Sequence, residues 1–126
     1  MSANESKENL IKKEKTRLEK IFNGIAPDKK ILCEKLISNA AFMAITLELL
    51  QEDINLNGPV ITGINGNGFE VTSENPAQKS YNTMINRYGA VIKQLEELLP
   101  DDKTNARESA GEALAAFVAK GKPGGK

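Results

Sequence analysis

Histidine and tryptophan are absent from this 126-residue chain, and cysteine occurs once, at Cys33. Without histidine, the chain lacks the commonest general base and a frequent metal ligand. A single cysteine excludes an intrachain disulfide and a zinc site built from cysteine pairs. No apolar run approaches the roughly 20 residues that a membrane-spanning helix requires. We therefore expect no secreted disulfide scaffold, no membrane protein and no enzyme, with no catalytic residue, metal or cofactor.

Charge is balanced overall but unevenly distributed, since 17 basic residues match 17 acidic ones. Residues 1–30 have a net charge of +3, residues 31–75 of −5, and residues 76–100 and 101–126 of +1 each. The basic first segment is either a solvated helix surface or a contact surface for a polyanion. If it binds DNA, the candidate residues are Lys12, Lys13, Lys15, Arg17 and Lys20, followed by Lys29 and Lys30.

Helical periodicity dominates the chain. A basic helix is predicted over residues 7–22, ending at Asn23-Gly24. Apolar residues at heptad-like spacing predict two further, longer helices of similar length, at about 27–56 and 75–99. The first of these has Leu32, Leu36, Ala40, Met43, Leu47, Leu50 and Ile54 on one face; the second has Ala77, Tyr81, Met84, Tyr88, Val91, Leu95 and Leu98. Matched helices joined by a compact connector predict an antiparallel helical hairpin.

The connector between the long helices has the pattern of a small β-hairpin at about 59–72. Two short β-type runs flank the Asn-Gly repeat at residues 65–68, which favours a tight turn. Because an isolated hairpin is marginally stable in water, this one should lean on a helix, pair with another subunit or be mobile.

The whole chain is therefore predicted to be mainly α. Residues 1–6 are expected to be a disordered start and residues 7–100 a helical oligomerisation core that includes the basic helix. Residues 101–126 are predicted to form a C-terminal helix, weakened by Gly111, and a flexible Lys/Gly tail.

The long helices also have a second line of apolar residues, and one pair of helices cannot bury all of this apolar surface. This surplus predicts a homo-oligomer, most simply a ring in which different faces of each subunit are covered. The candidate interface residues are Ile31, Phe42, Ile45, Leu49, Ile85, Ile92 and Leu99.

The sequence contains only weak candidates for catalytic, metal-binding or phosphate-binding residues. The acid pairs Glu52-Asp53 and Glu96-Glu97 point in different directions on a helix, and the glycine-rich stretch at 63–68 lacks the Lys-Ser/Thr of a phosphate loop. Cys33 lies in an apolar helical segment, as expected for a packed thiol.

A series of sequence blocks resembles a known family. The blocks are LISNAAFMAITL at 36–47, LQEDIN at 50–55, NPA at 75–77, YNTMINRY at 81–88, IKQL at 92–95 and LLP at 98–100. Their order and spacing over residues 10–100 resemble the small terminase subunits of tailed bacteriophages and prophages of Gram-positive bacteria. The segment 101–126 departs from the shorter members.

The resemblance implies a DNA-packaging role in the cytoplasm of the bacterial host. Small terminase subunits form rings, bind the double-stranded viral DNA and regulate the large subunit, which holds the ATPase and nuclease. The alternative is a helical scaffold or adaptor that binds only protein, which the neutral net charge favours, since dedicated DNA binders are often clearly basic.

Overall fold

Four α-helices and a β-hairpin make up the part of the chain that the structure describes. The computed structural model describes residues 6–100 and 104–121, with side chains given at 108–117 in the second segment. The elements are α1 (Lys7–Ile21), a 3-10 turn (Pro27–Lys29), α2 (Lys30–Asn57), β1 (Val60–Ile64), β2 (Glu70–Glu74), α3 (Pro76–Leu98) and α4 (Thr104–Gly121). The predicted class is confirmed: two long helices flank a β-hairpin, with one helix before and one after them.

The basic helix α1 begins and ends at capped residues. The side chain of Ser6 accepts a hydrogen bond from the Asn9 amide at 3.2 Å, which satisfies one free N–H of the first turn. At the other end, the Phe22 amide donates to the Leu18 carbonyl at 2.9 Å. Leu18 and Phe22 are buried, so a narrow apolar stripe attaches the helix to the core. Residues 1–5 of the predicted disordered start lie outside the described residues.

Helix α2 lies between α1 and α3 and packs against both. Its buried face includes Cys33, Ile37, Ala40, Ala44 and Leu47. The small side chains on this face allow two neighbouring helices to approach α2 closely.

One residue of the predicted α2 face is placed differently. Leu32 was expected to pack against the next helix, yet it is 52% exposed while Cys33 is buried. Because α2 packs against both α1 and α3, its buried face is wider than one heptad line, and at this end of the helix it consists of Cys33, Leu36 and Ile37.

Helix α3 buries the heptad face that its sequence predicts. Tyr81, Tyr88 and Leu95 are buried, and the intervening heptad residues Met84, Val91 and Leu98 are half-buried. Asn75 caps the helix by accepting a hydrogen bond from the Ala77 amide at 3.0 Å. The packed surface of α3 is broad because Ile92 and Leu99, beside the heptad line, belong to the same core.

The β-hairpin is antiparallel, and its register pairs Val60 with Glu74 and Ile64 with Glu70. The connecting loop is organised by Asn65, whose side chain accepts hydrogen bonds from the amides of Asn67 (2.9 Å) and Phe69 (3.0 Å). Gly68, at φ 84°, supplies the positive φ that this loop needs. The predicted Asn-Gly signal therefore marks the loop, although the strands extend to Glu74, two residues further than expected.

Helix α4 packs against α3 and also contacts α1. The Phe117 ring meets the Tyr88 ring edge-to-face, with centroids 5.4 Å apart and an interplanar angle of 76°. The Tyr81 hydroxyl donates to the Phe117 carbonyl at 3.2 Å. These contacts secure a helix that would be marginal in isolation. Residues 122–126 of the predicted tail lie outside the described residues.

Candidate functional site

The lysines of α1 occupy more than one side of the helix. Lys12, Lys13 and Lys20 are exposed. Lys13 and Lys20, seven residues apart, share one face because seven residues make about two helical turns. These three residues point their positive charge away from the packed stripe and form the outward part of the candidate DNA surface.

Arg17 is paired within its own helix. Its Nε lies 2.9 Å from Glu14 Oε1, and its Nη2 lies 2.6 Å from Glu14 Oε2. This two-point hydrogen bond with Glu14 is the main reason that the pKa of Arg17 is raised. Since Glu14 offsets its charge, Arg17 contributes less to a polyanion surface than an unpaired arginine would.

A cavity of about 290 Å³ lies beside this ion pair, where α1, α2 and α4 meet. Arg17 and Glu14 line it together with Glu48, Phe117 and alanines of α2 and α4. The buried Tyr88 ring lies nearby, and burial is the main reason that the pKa of its hydroxyl rises to about 12. The phenol is therefore neutral near pH 7 and adds no charge to this surface.

Lys15 faces α2 and is half-buried. It lines an open groove of about 560 Å³, which we call the α1–α2 groove and define by Lys15, Ile31, Glu34, Lys35, Ser38 and Asn39. Lys15 is thus separated from the outward lysines, although it is close to them in sequence.

Lys29 and Lys30 lie at the corner where α1 turns into α2, and both are exposed. The 3-10 turn sets this corner, with the Lys29 amide donating to the Ala26 carbonyl at 3.0 Å. Lys20, in the last turn of α1, lies on the other side of the same short connection. We define the basic edge as three exposed lysines of α1 and the two at this corner, namely Lys12, Lys13, Lys20, Lys29 and Lys30.

The seven candidate oligomer residues separate into two groups. Ile31 (71% exposed), Phe42 (47%) and Leu49 (39%) are at the surface of α2. Ile45, Ile92 and Leu99 are buried inside the protomer, and Ile85 is half-buried. The structure therefore corrects the expectation that α3 carries surplus apolar surface, because a single chain already covers its second line. Among these seven residues, the exposed apolar side chains are those on α2, and the ammonium of Lys7 lies 4.7 Å from the Phe42 ring centroid.

The candidate interface residues did not include the hairpin, although pairing with another subunit was one alternative predicted for it. All ten strand residues are exposed, with Val60 at 52% and Ile64 at 71%, and the loop residue Phe69 is 68% exposed. Leu56, at the end of α2, is 83% exposed. This surface could have been predicted from the sequence. The hairpin contains apolar residues, and two strands alone cannot bury both of their faces.

The carboxylate of Asp53 has a structural role at the base of the hairpin. Its Oδ1 accepts hydrogen bonds from the side-chain amides of Asn75 (3.0 Å) and Asn57 (3.3 Å), and these bonds lower the pKa of Asp53. Asn75 also donates to the Gly58 carbonyl at 2.8 Å. Asp53 of the acid pair Glu52-Asp53 therefore connects the end of α2 to the start of α3.

Three further observations concern the thiol, possible metal sites and possible membrane spans in the described part of the chain. The Cys33 side chain is buried, and this burial raises the pKa of its thiol. Within residues 6–100 and 104–121, no group of three or more Asp, Glu, Cys or His side chains is arranged to hold a metal ion. No helix in the same residues is long and apolar enough to cross a membrane.

Comparison of the chain with protein-family models, with curated proteins and with solved structures gave no match.

Proposed function

We propose that this chain is a small terminase subunit of a tailed bacteriophage or prophage, which acts in the cytoplasm of the bacterial host. In this role it forms a ring, binds the double-stranded viral DNA and recruits or regulates the large terminase subunit. The sequence blocks over residues 10–100 suggest the family. The observation that carries the DNA contact is the basic edge, five exposed lysines along α1 and the corner before α2.

The basic edge suits the backbone of DNA better than its bases. Lysine ammonium groups neutralise phosphates and release counterions, so affinity falls steeply as salt rises. Such contacts carry no sequence information by themselves. One copy offers few phosphate contacts and binds weakly, whereas a ring repeats the edge on every subunit, and the linked contacts raise the effective affinity.

The distribution of charge also orients the protomer on DNA. Residues 48–75, which cover the end of α2 and the hairpin, contain five acidic residues and no Lys or Arg. This end of the molecule is repelled by phosphate, while the basic edge is attracted. DNA therefore approaches the α1 side of the protomer, and ATP hydrolysis and DNA cleavage belong to the large subunit.

Fluorescence anisotropy with double-stranded DNA tests this proposal. The variant carries Lys12→Glu, Lys13→Glu and Lys20→Glu, and the matched control carries Lys79→Glu, Arg87→Glu and Lys93→Glu, three exposed basic residues of α3. At low salt, we expect the α1 variant to bind about ten-fold more weakly than the wild type or worse, and the control to lose much less. Equal losses of DNA affinity in both variants would mean that binding depends only on the net charge of the protein. The basic edge would then not be the DNA contact.

The second candidate function is a protein-only adaptor. The acidic, apolar hairpin favours it, because such a surface suits a protein partner and repels nucleic acid. A wild-type chain that self-associates but binds no DNA at low salt would support the adaptor and contradict the terminase proposal.

A further inference from the structure

The β-hairpin has the properties of a docking arm. Its register places Val60 and Ile64 on one face together with Glu70 and Glu74, since directly paired residues point to the same side of a ribbon. Both apolar residues on this face are more than half exposed, and the loop residue Phe69, next to Glu70 in the chain, is 68% exposed. A two-stranded ribbon that exposes apolar residues on this scale is typical of an interaction site.

The charge of this arm restricts its partner. Glu70 and Glu74 are its charged residues, and the adjoining end of α2 adds Glu52 and Asp53. A negatively charged apolar ribbon requires a partner surface that is both basic and apolar. The phosphate backbone of nucleic acid is therefore excluded as the occupant.

The same chain presents a surface of this kind on its opposite end. The α1–α2 groove contains two lysines, Lys15 and Lys35, and the 71%-exposed side chain of Ile31. Leu32, beside it, is 52% exposed, and Lys29 and Lys30 lie next to it at the corner. One acidic residue, Glu34, lines the groove, so its net charge is positive.

The hairpin cannot reach the groove of its own chain. The groove residues of α2 lie between Ile31 and Asn39, and the hairpin follows Asn57, so the two are about 27–39 Å apart along the helix at 1.5 Å per residue. We infer that the acidic hairpin of one copy docks in the basic α1–α2 groove of a second copy. The two surfaces differ, so the contact is heterologous, as a ring requires. This inference rests on the self-association in the proposed function, but not on DNA binding.

Charge reversal on each surface tests the contact by sedimentation velocity without DNA. One variant carries Glu70→Lys and Glu74→Lys, and the other carries Lys15→Glu and Lys35→Glu. In either variant alone, hairpin and groove have the same sign, and we expect self-association to weaken by about ten-fold or more. In an equimolar mixture of the two variants, every hairpin again meets a groove of opposite sign, so assembly should return.

A control variant carries Glu108→Lys and Glu112→Lys, which reverse two exposed charges on α4 and should leave assembly unchanged. Circular dichroism of each variant establishes that the helices remain folded. Return of assembly in the mixture cannot arise from misfolding, which mixing does not repair.

The possible outcomes distinguish this contact from the proposed function. Reversed variants that assemble like the wild type, as expected if the hairpin binds a different protein, overturn the contact but leave the ring proposal standing. A mixture that stays dissociated also overturns it. A monomeric wild type overturns both the contact and the ring. Rescue in the mixture, with no DNA binding by the wild type, supports the contact and overturns the terminase proposal.

Discussion

Two buried tyrosines on the same face of α3 differ in the hydrogen bonding of their hydroxyl groups. The Tyr81 hydroxyl donates to the Phe117 carbonyl at 3.2 Å and accepts from Gln51 Nε2 at 3.1 Å. The Tyr88 hydroxyl is fully buried and forms no hydrogen bond with the described part of the chain. A buried polar group without a partner costs free energy, whereas a bonded one contributes a little.

This contrast predicts opposite effects for the same substitution. Tyr81→Phe should lower the free energy of unfolding by about 0.5–1.5 kcal/mol, because it removes a hydrogen bond and leaves the Phe117 carbonyl with one donor fewer. Tyr88→Phe should leave the free energy of unfolding unchanged or raise it by about 1 kcal/mol, because it removes an unpaired hydroxyl and keeps the ring. Urea denaturation of the two variants measures both values. A larger loss for Tyr88→Phe than for Tyr81→Phe would show that the Tyr88 hydroxyl has a partner.

At the scale of the elements, the stability of the helical hairpin depends on which leucines face a neighbouring helix. Leu47 of α2 and Leu95 of α3 are completely buried. Leu32 of α2 belongs to the same heptad pattern but is more than half exposed. The three residues are chemically identical, so they separate the effect of burial from that of side-chain type.

Truncation of each leucine to alanine should therefore give two different results. Leu47→Ala and Leu95→Ala should each lower the free energy of unfolding by about 2–5 kcal/mol, since each leaves a cavity in the core. Leu32→Ala should change it by no more than about 0.5 kcal/mol. Chemical denaturation monitored by far-ultraviolet circular dichroism decides this. A loss at Leu32 comparable to that at Leu47 would place Leu32 in a packed interface.

At the scale of the whole molecule, α4 completes the core that α1, α2 and α3 begin. Ala110 and Phe117 of α4 are buried in the same cluster as Tyr88 and Leu18. Gln51 of α2 and Tyr81 of α3 both approach the Phe117 carbonyl, so α4 connects to both long helices.

Deletion of residues 101–126 should leave a helical but less stable protein. We expect the free energy of unfolding to fall by at least about 3 kcal/mol, because the deletion removes the Phe117 ring and uncovers Tyr88. The full-length Phe117→Ala variant is the matched comparison, and it should account for most of the loss. Thermal denaturation of both proteins beside the wild type provides the measurement. A truncated chain as stable as the wild type would show that α4 contributes nothing to the core.

Local sequence determined the elements of this protein. The heptad spacing along 32–54 and 77–98, the capping residue Asn75 and the breakers Gly24 and Gly58 predicted each helix to within a few residues. The Asn-Gly repeat likewise predicted the hairpin. These features could be predicted because helix and turn formation depend on side chains within a few positions of one another. The basic helix α1 could also be predicted, from the composition of its segment.

Only the tertiary structure decided which faces of those elements are buried in the core and which are exposed. Whether Ile45, Ile92 and Leu99 form a surface or a core depends on how many helices surround α2 and α3, and no local pattern states that number. For the same reason, Lys15 turns toward α2 and is half-buried, while Lys12, Lys13 and Lys20 of the same helix remain exposed. Apolar spacing shows that a face is buried, but the choice of neighbour comes from packing between segments distant in sequence.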